Sequence, residues 1–115
     1  MEVEPGFVPA LVSLALIRAT SVDESLRDGP AAVELADRAC ALTQARHPEA
    51  LHALAAAYAE VGRFADALGV GQSAVEAALA GGNRPLGAAI EQSLQAYRQN
   101  RPLREPAVAS DPASR

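Results

Sequence analysis

Apolar and small residues recur along most of this chain at intervals of three and four, the spacing that puts side chains on one face of an α-helix. From Pro30 to about Arg46 they fall at Ala32, Leu35, Ala36, Ala39, Leu42 and Thr43, with Glu34, Asp37 and Arg38 opposite. A second stripe, Leu51, Leu54, Ala55 and Tyr58, follows between Pro48 and about Val61. A third runs from about Phe64 to Ala80 through Ala67, Leu68, Gly71, Ala74, Val75 and Ala78, and a fourth from Pro85 to about Asn100 through Leu86, Ala89, Ile90, Leu94 and Tyr97. The first helix, from Phe7 or Pro9 to about Thr20, is apolar almost all round between Ala10 and Ile17. A helix of that kind needs cover on more than one side.

The breaks between these segments carry their own chemistry. Asp28-Gly29-Pro30 supplies a capping carboxylate followed by proline in a first helical turn, and His47-Pro48 restarts the chain in the same way. Gly62 is placed to end one helix in a left-handed conformation, and Gly81-Gly82-Asn83 stops the next. Residues 21–29 form a longer polar connection. Beyond residue 101, prolines among alanine, serine and charged residues predict a disordered tail over 102–115, which leaves 1–101 as one helical domain.

Composition narrows this further. Half of the residues are hydrophobic, yet only 3% are aromatic and there is no Trp. A core rich in alanine lets helix backbones approach closely, and the predicted class is all-α. A length of 115 residues has room for one such core. A net charge of −4 lacks the field that draws a polyanion, which argues against a nucleic-acid partner. The lone Cys40 forms no disulfide within the chain, and the apolar run from Phe7 to Ile17 is too short to span a bilayer, with Glu2 and Glu4 where a secretory signal carries positive charge. These features predict a cytoplasmic protein that does not enter a membrane.

Small residues repeat with a constant offset of 35: Ala32 onto Ala67, Ala36 onto Gly71 and Ala39 onto Ala74. A period in this range, made of a helical pair, marks units that bury their apolar faces by stacking. Here the chain resembles the tetratricopeptide repeat family, through Leu51-x2-Leu54-Ala55-x2-Tyr58, Gly62, Ala67 and Ala74. Gly71 stands where the family has an aromatic, and no proline closes the repeat near Leu79-Ala80. An earlier pair matches through Leu11, Leu14 and Ala15, with Arg18 at a usually apolar position and a connection about five residues longer. Ala19-Thr20-Ser21, Arg27-Asp28-Gly29, Tyr97-Arg98 and Arg104-Glu105 are similar to the closing segment of many bacterial repeat proteins.

The resemblance implies two antiparallel helix pairs, about 9–46 and 48–81, stacked in a right-handed superhelix and closed by a capping helix over 85–100. It also implies a groove lined by the first helix of each pair. Carried over position by position, the groove residues are Val12, Leu16 and Ala19 in the first pair and Glu49, His52, Ala56, Ala59 and Glu60 in the second. The expected partner is a protein or peptide. The Lys and Asn arrangement by which chaperone-binding members hold a terminal carboxylate is missing.

Other chemistries find little purchase. His47 and His52 are five residues apart, about 140° around a helix, and Cys40 lies on a different helix, so no metal site is expected. Cys40, within Arg38-Ala39-Cys40-Ala41-Leu42, reads as a small buried hydrophobe rather than a nucleophile. No glycine-rich phosphate loop follows a strand, so neither catalysis nor a cofactor is expected. The outer face of the first helix is expected to leave Phe7, Val12 and Leu16 in water as a docking patch for a partner or a second copy, giving a homodimer. The function read from the sequence is protein–protein binding. A non-catalytic regulatory domain or C-terminal fragment of a larger enzyme-associated protein, and a self-associating structural protein, are the alternatives.

Overall fold

The helices form where the periodicity places them, and their ends are set by local hydrogen bonds. A computed structural model describes residues 7–104, and every regular element in it is helical. The helices are α1 (Phe7–Thr20), α2 (Gly29–Leu42), α3 (Pro48–Glu60), α4 (Phe64–Ala80) and α5 (Arg84–Arg98), with one short 3-10 turn at Glu24–Leu26. No strand occurs among the described residues, so the chain is all-helical.

At the starts, the Asp28 carboxylate accepts from the Ala31 amide (3.1 Å) and the Asn83 side chain from the Leu86 amide (3.2 Å). Each satisfies one of the donors that a first helical turn leaves unpaired. At the ends, α2 to α5 all finish in one motif. The residue one past the cap is left-handed at Gln44, Gly62, Gly82 and Asn100. The amide after it reaches back five residues, Ala45 to the Cys40 carbonyl, Arg63 to Tyr58, Asn83 to Ala78 and Arg101 to Ala96, at 2.8–2.9 Å. Two of these stops use glycine, which takes a positive φ freely, while Gln44 and Asn100 take it at a steric cost. The same stop ends α2 at Leu42 rather than near Arg46, because the turn forms without the glycine that usually announces it.

Packing follows chain order, with α1 on α2, α2 on α3, α3 on α4 and α4 on α5, and α1 also lies against α3. The contact surfaces are mostly alanine. Ala32, Ala36 and Ala39 of α2 and Ala67 and Ala74 of α4 are fully buried, as are Ala53, Ala55, Ala56 and Ala57 of α3. Larger side chains fill the edges: Leu11 and Val12 from α1, Leu51 and Leu54 from α3, and Ile90, Leu94 and Tyr97 from α5. Two expected core positions differ. Leu42 is exposed because α2 ends there, and Ala89 faces water on α5.

Gly71 explains its own departure from the aromatic pattern. A Cβ at this position would run into Leu94 Cδ2 and lie 3.8 Å from the Ala55 Cβ, so the space an aromatic side chain would fill is taken by Leu94 of α5. The substitution Gly71→Leu is expected to destabilise the chain by about 1–3 kcal/mol through overpacking. Leu94→Ala alone should cost about 2–5 kcal/mol. The double variant should cost clearly less than the sum, because each change relieves the other, and urea unfolding of the four chains measures the coupling.

Candidate functional site

Helices α1 and α3 run side by side in the same direction. Their starts meet around one surface pocket, lined by Pro9, Val12, Ser13 and Leu16 of α1 with His47 and Glu49 at the start of α3. Their ends meet at Arg104, which reaches both Ala19 and Glu60. The face between these two ends carries the residues that the family resemblance assigns to a groove.

The structure divides those residues into two groups. Val12, Leu16 and Glu49 border the open pocket, whose volume is about 390 Å³. His47 Nε2 lies 3.2 Å from the Glu49 carboxylate at its rim. Ala19, Ala56, Ala59 and Glu60 lie toward the other end, where the chain covers them itself. Leu103 packs, partly buried, against two buried clusters: the one formed by Ala55, Ala59, Ala67, Leu94 and Tyr97 and the one formed by Ala19, Ala32, Ala56 and Ala57. His52, between the two groups on α3, is half-buried.

Segment 102–104 was expected to be part of a disordered tail; instead Leu103 is held by apolar burial and Arg104 by charge. The remaining tail residues, 105–115, and residues 1–6 at the other terminus lie outside the described residues. The α1 docking patch is also corrected. Phe7 is 43% exposed as expected, but Val12 is 7% exposed and Leu16 packs partly against the core, because α1 is covered by both α2 and α3. Leu14, 40% exposed, shares the outer face with Phe7 instead.

Charge collects at the far end. Glu60 is the last residue of α3, and its side chain is only 15% exposed. One of its oxygens accepts from Arg104 Nη1 at 2.7 Å, and the other lies 3.5 Å from Arg27 Nε. Arg104 Nη1 is also 3.5 Å from the Ala19 carbonyl in the last turn of α1. Two parallel helices bring two negative dipole ends together, and a carboxylate added there needs cations beside it. The longer connection between α1 and α2 delivers one of them. Arg18 Nη1 donates to the Leu26 carbonyl (3.3 Å), Arg27 Nη1 to the Ser21 carbonyl (3.0 Å), and the Asp28 amide to the Arg18 carbonyl (2.8 Å). Arg18 thus holds the extra loop residues that accompany it, and the loop aims Arg27 at Glu60.

Sequence reasoning found Glu60 and missed its partners. Arg27 sat in a stretch read as a polar linker, and Leu103-Arg104 in a segment read as disordered. Two signals were usable: Leu103 is the sole leucine beyond Leu94, and Arg27 and Arg104 both fall in the stretches similar to a closing segment, although that likeness did not join them to Glu60.

Cys40 lies buried in the core that joins α1, α2 and α3. Burial, with the Asp37 carboxylate adding to it, pushes its thiol up to about 11. Among the described residues, no group of three or more His, Cys, Asp or Glu side chains is arranged to hold a metal ion, and no helix is long and apolar enough to cross a membrane. The raised thiol has a measurable consequence. The fold favours the neutral form, so this contribution to stability is complete below the ordinary thiol range and is lost as pH rises toward 11. Urea midpoints of the wild type should therefore fall relative to those of Cys40→Ala between about pH 9 and 11, and parallel curves over that range would contradict the assignment.

No protein-family model, curated protein or solved structure gives a significant match to the chain, so the likeness of residues 48–81 to the tetratricopeptide family remains a resemblance carried by those residues themselves.

Proposed function

We propose that this chain is a non-catalytic interaction module of tetratricopeptide type, working in the cytoplasm, which binds an extended segment of a protein partner along the face formed by α1 and α3. The observation that carries this reading is the state of that face. One half is an open pocket of mixed apolar and polar lining, and the other half already holds a piece of extended polypeptide, the chain's own Pro102–Arg104. A surface that seats three residues of one chain has the width and the floor to seat those of another. Alanines supply the floor, since they leave the groove shallow and flat, and Leu16 supplies apolar area in the open half. Glu49 and His47 at the rim give direction and specificity more than affinity.

Selection of random displayed peptides on the full chain tests the proposal. Enriched sequences should bind in solution, and Ser13→Arg or Glu49→Arg should weaken them by about tenfold or more, equivalent to at least about 1.4 kcal/mol. Both positions are exposed, so the helical fold should survive either change. A selection that enriches nothing, or binders indifferent to both substitutions, would overturn the assignment.

A further inference from the structure

The segment that follows α5, residues 101–104, returns to the face between α1 and α3. After α5 the chain turns at Asn100, whose φ is 57°, and the Arg101 amide closes on the Ala96 carbonyl at 2.9 Å. Residues 101–104 then run without regular structure back across the ends of α1 and α3. Leu103 contributes the apolar contact, lying over alanines that are essentially inaccessible to water, and Arg104 contributes the ionic one, bridging Glu60 and the Ala19 carbonyl.

The residues that receive the segment belong to the helices themselves. The floor is Ala19, Ala56 and Ala59, on three helical turns that the core holds in place, and the wall is the Glu60 carboxylate, fixed from behind by Arg27. Remove Arg104, and two helix C-termini and a largely buried carboxylate face one remaining cation. That arrangement attracts a guanidinium or ammonium group. The neighbouring alanines accept one large apolar side chain beside it.

We infer that this end of the face is a recognition site for an extended partner segment carrying a large apolar residue followed by arginine, and that Leu103-Arg104 is its resident competitor. The inference rests on the interaction-module reading above and adds to it the chemistry of the partner. The competition sets a requirement. Leu103 follows the end of α5 by only a few residues, and so short a tether gives an effective concentration in the millimolar range. A partner offering only the dipeptide loses to it. A partner that also fills the open pocket at the starts of α1 and α3 makes contacts that Leu103 and Arg104 do not, and displaces them. Helix α3 has 13 residues and so spans about 20 Å, which corresponds to about six residues of extended chain between the two anchors.

The probe is the acetylated, amidated peptide Asn-Arg-Pro-Leu-Arg, the sequence of residues 100–104, titrated into isotope-labelled full-length chains and followed by amide shifts. The double variant Leu103→Ser/Arg104→Ser should bind it with shifts at Ala19, Ala56 and Ala59, at about tenfold lower peptide concentration than the wild type. Adding Glu60→Gln to that variant should weaken binding about fivefold or more, and a peptide with serine at both anchor positions should not bind. If the double variant loses its helical circular dichroism, Arg104→Gln with Leu103 retained replaces it in the same titration. No binding by the vacated, folded chain, equal binding by wild type and variant, or indifference to Glu60→Gln would each overturn the inference. Displayed peptides that still bind the open pocket in those circumstances would leave the broader reading standing; loss of both would end it.

Discussion

Alanine at the helix contacts is the constraint from which the rest of the structure follows. A residue that is fully buried yet contributes a single methyl group sets two backbones close together, and Ala36, Ala39, Ala53, Ala55, Ala67 and Ala74 do this at every interface from α2 to α4. Close approach leaves no room for error. Gly71 is glycine because Leu94 already fills the adjoining space, and Cys40 is tolerated because a thiol is scarcely larger than the methyl groups around it. Small contacts also bury little area apiece. The few large side chains, Leu51, Leu54, Ile90, Leu94 and Tyr97, therefore carry a disproportionate share of the apolar burial that opposes chain entropy.

Close packing of parallel helices has an electrostatic consequence at their ends. α1 and α3 present their C-terminal carbonyls together, and the sequence adds Glu60 to the same spot. Arg27 and Arg104 converge on it from opposite directions along the chain, one from the connection before α2 and one from beyond α5. Cations near helix C-termini are favourable in general, and here they also close the structure, tying Arg27, 33 residues before Glu60, and Arg104, 44 residues after it, to one carboxylate. The face between α1 and α3 is for that reason asymmetric, open at the helix starts and charged and covered at the helix ends.

The periodic part of the fold was legible in the sequence because amphipathic stripes and proline starts act locally. The starts of α1, α3 and α4 fell where the pattern put them, and Ala55, Ala67 and Ala74 are fully buried as the repeat required. What escaped was non-local or unannounced. The end of α2 depends on Gln44 taking a conformation that sequence patterns associate with glycine, so the stripe through Leu42 and Thr43 read on past the true stop. Val12 was placed in water because α1 looked exposed on its own, whereas α3 covers it. Glu60 could be assigned to a groove by position, but nothing local says that Arg104 will come back to meet it. A single leucine in a proline-rich stretch is too slight a hydrophobic signal to outweigh its surroundings.

The stop at the end of α2 differs from its counterparts in one further respect: Gln44 and Ala45 both sit at a φ of 57°, back to back, where the α3 and α4 stops use one glycine. Left-handed geometry costs a residue with a side chain about 1 kcal/mol or more, so the link joining the first helical hairpin to the second is held under more tension than the links inside the second. That link leads within two residues to His47, which borders the open pocket. The backbone cost is therefore concentrated in the one connection that ends at the pocket rim, beside Glu49.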